Sequence, residues 1–507
     1  ADLEVDLHPH ERRLEMRGTL TLKNATDGPI ETLHVRIDPE VRIEALELSD
    51  DLLEHDDAEL GYRIYRLPSA LPPGATMPFF FDLRFEEPGF KAGGSDTGVV
   101  YNGSFFHNSR YVPHFGYDPS GEIVDPNDRR KRGLPERPRM AALEDESARR
   151  NTYISSEADW IDFSATVSTS SDQIALAPGY LTKEWEADGR RYFRYEMDAP
   201  ILNLYAFLSA DYEVARSRWN DVEIAVYHYA PHVYNVERMI DAVKKSLDYF
   251  TEHFSPYQHR QLRIVEFPRY ASFAQSLPNI VPYSESIGFI ADLRNPDDID
   301  YVFYVTAHEV AHQWWAHQVI GADVQGSTLM SETLAQYSAL MVMEKEYGRD
   351  KMNKFLDHEL NRYLMGRATE RHRELPLVRV ENQPYIHYNK GSLVMYTLRE
   401  YLGEEVLNAA LASYIRKVGF QQPPYTISTD LVQELRAVTP ERYAYLIEDL
   451  FETITIYDNR TTDVSVTERP DGKFDVTMQI QTRKYRADER GAETAVCREY
   501  RGTAPSS

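Results

Sequence analysis

The chain has a single cysteine, Cys497, in 507 residues, so no disulfide can form within it. It has no run approaching the ~20 apolar residues that a bilayer-spanning helix needs. Its mean hydropathy of -0.53 and hydrophobic content of 42% describe a soluble globular protein. Basic residues are in deficit, 56 against 81 acidic, and the net charge of -25 argues against nucleic acid as a partner and against adhesion to anionic lipid. There is no internal repeat and no low-complexity tract. The opening Ala1-Asp2-Leu3 lacks a basic-then-apolar leader, so the chain is expected to be either processed or cut from something larger. The cysteine count leaves the compartment open, because a cysteine-poor chain suits the cytosol and the bacterial periplasm alike.

What is present divides by period. The length suggests about three domains by the ~150-residue prior. In the first two hundred residues Leu14, Met16, Leu20 and Leu22 alternate, as do Leu33, Val35 and Ile37, and then Phe79, Phe81, Leu83 and Phe85. Such runs, parted by Asp27-Gly28 and Pro72-Pro73-Gly74, predict an antiparallel β domain. Tyr117 to Arg150 reads as a charged, proline-bearing stretch whose Arg129-Arg130-Lys131-Arg132 is a solvated loop. Strand-like sequence returns at Phe163 to Val167 and Tyr192 to Tyr195. After Asp211-Tyr212 the pattern turns helical, with Val236, Ile240, Val243, Leu247 and Phe250 on one face behind Asn235 as a cap. From Thr461 the period is two again: Val464 and Val466, a turn at Asp471-Gly472, then Phe474, Val476, Met478 and Ile480. The expected class is multidomain α+β, with a β domain over 1–212, a mixed α/β domain over 213–455 and a short β module over 456–507. That module ends in the unstructured-looking Gly502 to Ser507. It is too short for a sandwich of ~100 residues, so the chain reads as truncated.

Chemistry concentrates in His308-Glu309-Val310-Ala311-His312. On a helix, positions four apart lie one above the other, so both imidazoles can grip one metal ion. Glu309 lies about 100° further round, placed to act on water without being a ligand. Tyr301, Val305, His308, His312, Trp315 and Val319 share one stripe, so the histidines face inward; Asp297 and Asp298 stand near the start and Gly321 past the end. A second segment, Ser331 to Tyr347, carries Glu332 in its first turn, and the glycine-bracketed loop Gly321 to Gly326 can fold the two helices together. Two nitrogens and a carboxylate leave a fourth position on zinc for water, the arrangement of a hydrolytic site.

His308 to Glu332 resembles the core of the aminopeptidase N-type zinc metallopeptidases, the gluzincin family, whose catalytic domain is thermolysin-like. The resemblance covers roughly residues 5 to 455 and implies one zinc ion per chain held by His308, His312 and Glu332, with Glu309 as general base. The family spaces its second histidine and glutamate by eighteen residues; here Gln313 to Ser331 makes nineteen, with the extra residue expected in the loop. Tyr388-Asn389-Lys390-Gly391 resembles the family's Tyr-x-Lys-Gly run, which implies that Tyr388 donates to the developing oxyanion. The large helical domain of longer members is absent.

Between residues 268 and 285 the chain departs from the family. Where the family reads Gly-Ala-Met-Glu-Asn, this chain reads Phe273-Ala274-Gln275-Ser276-Leu277, so the glutamate that pairs with a substrate's amino terminus falls on Ser276. Ala274, Gln275, Ser276 and Glu285 are the implied substrate-binding positions. Counting back from Arg110-Tyr111-Val112-Pro113, the family's other amine-binding carboxylate falls on Ser104 and its preceding glutamine on Asn102. The implied activity is a zinc-dependent peptidase with an aminopeptidase scaffold but without its amine anchors, unless Glu285 or Glu266 supplies the charge. Two other readings stay open: a non-catalytic peptide- or partner-binding module, and a zinc hydrolase of a non-peptide bond. His317 and His387 receive no role. The wording of His308 to Trp315 and Ser331 to Tyr337 is also similar to a divergent bacterial branch joined to ABC-transporter permease segments. That implies membrane permease segments in the same full-length polypeptide and a soluble portion held outside the cytoplasmic membrane.

Overall fold

Alternation in the first two hundred residues builds sheets whose apolar rows meet in one core. The computed structural model describes residues 1–48, 52–87, 89, 94, 96–117, 121–295 and 297–496; Cys497 and the tail Gly502 to Ser507 lie outside them. A seven-stranded sheet runs in the order Tyr180–Ala187, Arg190–Glu196, Ser164–Ser170, Asp2–His8, Arg13–Lys23, Thr76–Glu86, Arg42–Leu46. Leu14, Met16, Phe79, Phe81, Leu83 and Phe85 all point into its core. The expectation of a purely antiparallel sheet needs one correction, because Asp2–His8 pairs parallel with Ser164–Ser170. Those strands lie far apart in sequence, so no tight hairpin dictates their direction.

A second region is built on a four-stranded sheet ordered Glu213–Trp219, Val222–His228, Gln261–Phe267, Ile280–Ser284. Its first pair is antiparallel and the others are parallel. The helix Val236–His253 makes the crossover, burying Val236, Ile240, Val243, Leu247 and Phe250. Asn235 precedes that helix as expected, yet its side chain does not cap it. Its amide donates instead to the carbonyls of Gly288 and Ala291, tying the helix start to a distant loop. After Ile280–Ser284 the chain enters the helices that carry the site, packed in a second core with Trp314 and Trp315 fully buried.

One further expectation changes. The basic run is not wholly loop: Pro126–Lys131 is a short helix with Asp125 accepting from the Asn127 and Asp128 N–H groups, while Arg129 braces the Ile123 and Pro135 carbonyls. The C-terminal segment forms the expected hairpin, Ile454–Glu468 against Phe474–Ala487. Its alternating Val464, Val466, Val476 and Met478 form an apolar row that faces solvent.

Candidate active site

Three short segments deliver the chemistry. The first is the helix Tyr301–Ala311, shorter than the stripe from Tyr301 to Val319 implied. It starts at Asp300, whose carboxylate caps the Phe303 N–H, with Asp297 and Asp298 just upstream as expected. It ends at His312, because the chain there turns to bury Trp314 and Trp315. This early end orients the second imidazole: His312 Nδ1 donates to the Trp315 carbonyl at 2.9 Å, which leaves the Nε2 lone pair facing His308.

The second segment carries Glu332. Leu329–Thr333 is a π-turn leading into the helix Leu334–Tyr347. A π-turn holds one more residue than an α-turn and is typical of functional positions. Glu332 is thus borne on a wide turn rather than on a regular α-helix.

His308 Nε2 and His312 Nε2 lie 2.9 Å apart, and Glu332 Oε2 lies 3.4 Å and 3.2 Å from them. Tetrahedral coordination with bonds of ~2.0–2.1 Å places neighbouring donors about 3.3 Å apart, so the three atoms match a single cation. Their chemistry agrees. Glu332 Oε2 is buried without a hydrogen bond of good geometry, and two facing imidazole lone pairs need a positive charge between them. Burial pushes the Glu332 carboxyl up, but His312 and then His308 outweigh it and hold the group well below the ordinary carboxylate range.

Glu309 is buried beside them and is not part of this triangle. The Ser276 backbone N–H lies close enough to favour its charged form, and Oε2 has no hydrogen-bond partner. Burial pushes its carboxyl up, the direction that suits a proton carrier, with the two imidazoles opposing.

The third segment, Tyr385–Lys390, is another π-turn, opening the helix Gly391–Leu402. Tyr388 stands with its ring centroid 5.7 Å from that of His308, close enough to feel the Glu332 charge. Burial, then the Glu332 charge, raises its pKa, so it remains a proton-bearing donor. Lys390 is buried 3.4 Å from Glu374 and serves packing. Gly391 has a structural reason: a Cβ there would lie 2.3 Å from Thr333 Oγ1, so only glycine lets the two wide turns touch.

One buried carboxylate that the sequence did not single out registers all three segments. Glu359 Oε1 accepts from Tyr304 on the histidine helix and Gln336 on the glutamate helix, and its Oε2 accepts from Asn389 on the tyrosine turn.

The implied substrate positions divide. Phe273 to Leu277 doubles back along Ile280–Ser284, with the Gln275 N–H bonded to the Pro282 carbonyl and Ala274 bridged to Tyr283. Ser276 lies beside Glu309, its N–H favouring the carboxylate charge, but its hydroxyl accepts from Gln313 Nε2 at 2.6 Å, and His317 Nε2 donates to its carbonyl. Both Gln313 and His317, left without roles in the sequence, therefore fix this edge. Glu285 is grouped elsewhere, with His232 and Glu266. It accepts from the Arg269 N–H, while both Glu266 oxygens are engaged by His232 and the Tyr229 N–H. Burial pushes the Glu266 carboxyl up to about 7. Asn102 accepts from Tyr270, and Ser104 is buried against Val100.

Two imidazoles from one helix and a carboxylate from the next define the gluzincin class. Residues 238–452 match the Peptidase family M1 domain, in keeping with the resemblance to the aminopeptidase N-type family. It is 26% identical over 305 residues to Aminopeptidase M1-B of Oryza sativa subsp. japonica, covering 58% of this chain and 34% of that protein. It is 24% identical over 211 residues to Endoplasmic reticulum aminopeptidase 2 of Homo sapiens, covering 39% and 22%. The chain thus spans about a third of the length of the first of these. Among solved structures, the M1 zinc metallopeptidase from Deinococcus radiodurans superposes with a TM-score of 0.60 at 16% identity, covering 89% of this chain and 92% of that one. That likeness shows a common fold.

Proposed function

We propose that the chain is a zinc-dependent metallopeptidase that does not require a free amino terminus on its substrate. The observation that carries this is the convergence of His308 Nε2, His312 Nε2 and Glu332 Oε2 beside a buried Glu309 oxygen without a partner. His308, His312 and Glu332 would hold one zinc ion, which when bound supplies Lewis acidity to a carbonyl and lowers the pKa of water to ~7. Glu309 takes the proton from the attacking water and passes it to the departing amine. Tyr388 keeps its proton and donates a hydrogen bond to the carbonyl oxygen as that oxygen gains charge.

Specificity follows from Ser276. An aminopeptidase scaffold needs a carboxylate for the substrate ammonium, and here a hydroxyl occupied by Gln313 stands in that place. Glu266 and Glu285 are engaged with partners of their own. Amino-blocked peptides and internal bonds are therefore the substrates of choice. A holding module would need neither a base nor an oxyanion donor, so the buried Glu309 and the Glu332-facing Tyr388 favour catalysis over mere binding. The resemblance of the His308 and Ser331 motifs to the permease-joined branch supports a tether to permease segments in the full-length polypeptide, which topology mapping of that polypeptide would test. No helix among the described residues is long and apolar enough to cross a membrane.

The test is metal analysis followed by a panel of free-amino and N-acetylated peptides, with and without a chelator. We expect one zinc per chain and chelator-sensitive cleavage of both sets. Turnover confined to free-amino peptides would overturn the reading of Ser276. Zinc without turnover of any peptide would overturn the peptidase assignment in favour of a binding module or a non-peptide hydrolase.

A further inference from the structure

The residues on either side of Glu332 are tied to two different parts of the protein. Ser331 Oγ accepts from the hydroxyl of Tyr153 at 2.9 Å. Thr333 Oγ1 donates to the His387 carbonyl at 2.5 Å. Ser331 and Thr333 are almost completely buried.

Tyr153 belongs to a segment upstream of the catalytic sheet, within reach of the Glu332 charge. That segment is pinned to the loop that leads into the π-turn: the Tyr153 N–H bonds to the Gly321 carbonyl, the Asp323 N–H to Asn151 and the Gln325 N–H to Ala141. On the other side, His387 sits in the turn that presents Tyr388. A wide turn is a weaker frame than a regular helix, so the direction of the Glu332 carboxylate is left to such lateral bonds.

We propose that Ser331 and Thr333 form a hydroxyl clamp, anchored by Tyr153 on one side and the His387 carbonyl on the other, that holds Glu332 in its metal-binding direction. These are positioning residues, touching neither substrate nor metal. The inference rests on the reading of His308, His312 and Glu332 as a zinc site. Partners that orient a metal ligand are typically worth ~10–100-fold in metal affinity.

The experiment measures zinc affinity of the full chain by competition against a chromogenic zinc chelator, with apo-protein urea midpoints as the folding control. Tyr153→Phe and Ser331→Ala should each weaken zinc binding by ~10-fold or more while leaving the apo midpoint close to wild type. The double variant should be no worse than either single, because both remove one bond. Thr333→Val, cutting the other side, should multiply with Tyr153→Phe. Should Tyr153→Phe fail to fold, Ser331→Ala reads the same bond. Wild-type zinc affinity in Ser331→Ala and Thr333→Val would overturn the clamp. A wild-type chain that binds no zinc, or a His308→Ala variant that binds it as wild type does, would overturn the metal reading and the clamp together.

Discussion

Replacing Gly391 with alanine tests the geometry of the site most directly. The glycine has an ordinary helical φ of -58°, so alanine costs nothing in backbone conformation and its effect must come from contact. The added methyl would sit 2.3 Å from Thr333 Oγ1, 2.7 Å from its Cγ2 and 3.0 Å from its Cβ. Those atoms cannot swing away cheaply, since the Thr333 hydroxyl is bonded to the His387 carbonyl and the residue is fully buried. Overpacking of this kind costs ~1–3 kcal/mol. The turns that must separate carry Glu332 and Tyr388, so the larger effect falls on catalysis, where a misplacement of ~1 Å can cost ~10²-fold. Gly391→Ala should therefore lower the urea midpoint modestly and kcat strongly. Adding Thr333→Ala removes the two closest atoms and should make the double variant resemble Thr333→Ala alone. A Gly391→Ala protein with wild-type midpoint and wild-type kcat would refute the argument that these turns are in enforced contact.

The remaining predictions concern single groups. Glu309→Gln should keep its zinc and lose ~10²–10⁴ in turnover, read by metal analysis beside a peptide assay; an active variant would remove Glu309 from its role. Tyr388→Phe should lower kcat by ~10²–10³ with zinc content unchanged, and equal turnover would dismiss the phenol as an oxyanion donor. Glu370 gives a pH prediction. Burial raises its carboxyl, but the His372 N–H, Gln383 and Arg139 prevail and hold it down to about 2, against an ordinary 4.5. A depressed carboxyl contributes stability that is complete above 4.5 and is lost as pH falls from there through about 2. Glu370→Gln should thus be less stable than wild type at neutral pH and converge on it near pH 2 in urea titrations, and a constant difference across that range would contradict the assignment.

How much of this was legible depended on whether a feature is local. Phe79, Phe81, Leu83 and Phe85 alternate because one face of a strand is buried, and the pattern alone locates it. His308 and His312 converge because four residues make about one helical turn, so that pair of ligands was readable as well. The early end of the histidine helix was not, because tertiary burial of Trp314 and Trp315 overrode a continuing apolar stripe. Asn235 looked like a cap, yet loop carbonyls fifty-three and fifty-six residues away claimed its amide. Glu359 carries no motif at all; its importance lies in joining Tyr304, Gln336 and Asn389, three residues with no common periodicity. The same holds for Tyr153, which lies just beyond the charged, proline-bearing stretch and belongs to no motif.

The bond between Tyr153 and Ser331 spans 178 residues of sequence, and it bears on the order of events during folding. Contacts closed over so long a loop form late, after the entropy of bringing distant segments together has been overcome. The histidine pair can organise within its own helix, but the glutamate turn acquires its final register only when the upstream segment docks. Metal capture is then a closing step of maturation, and a fragment that begins after residue 153 would take up zinc poorly even with every ligand present.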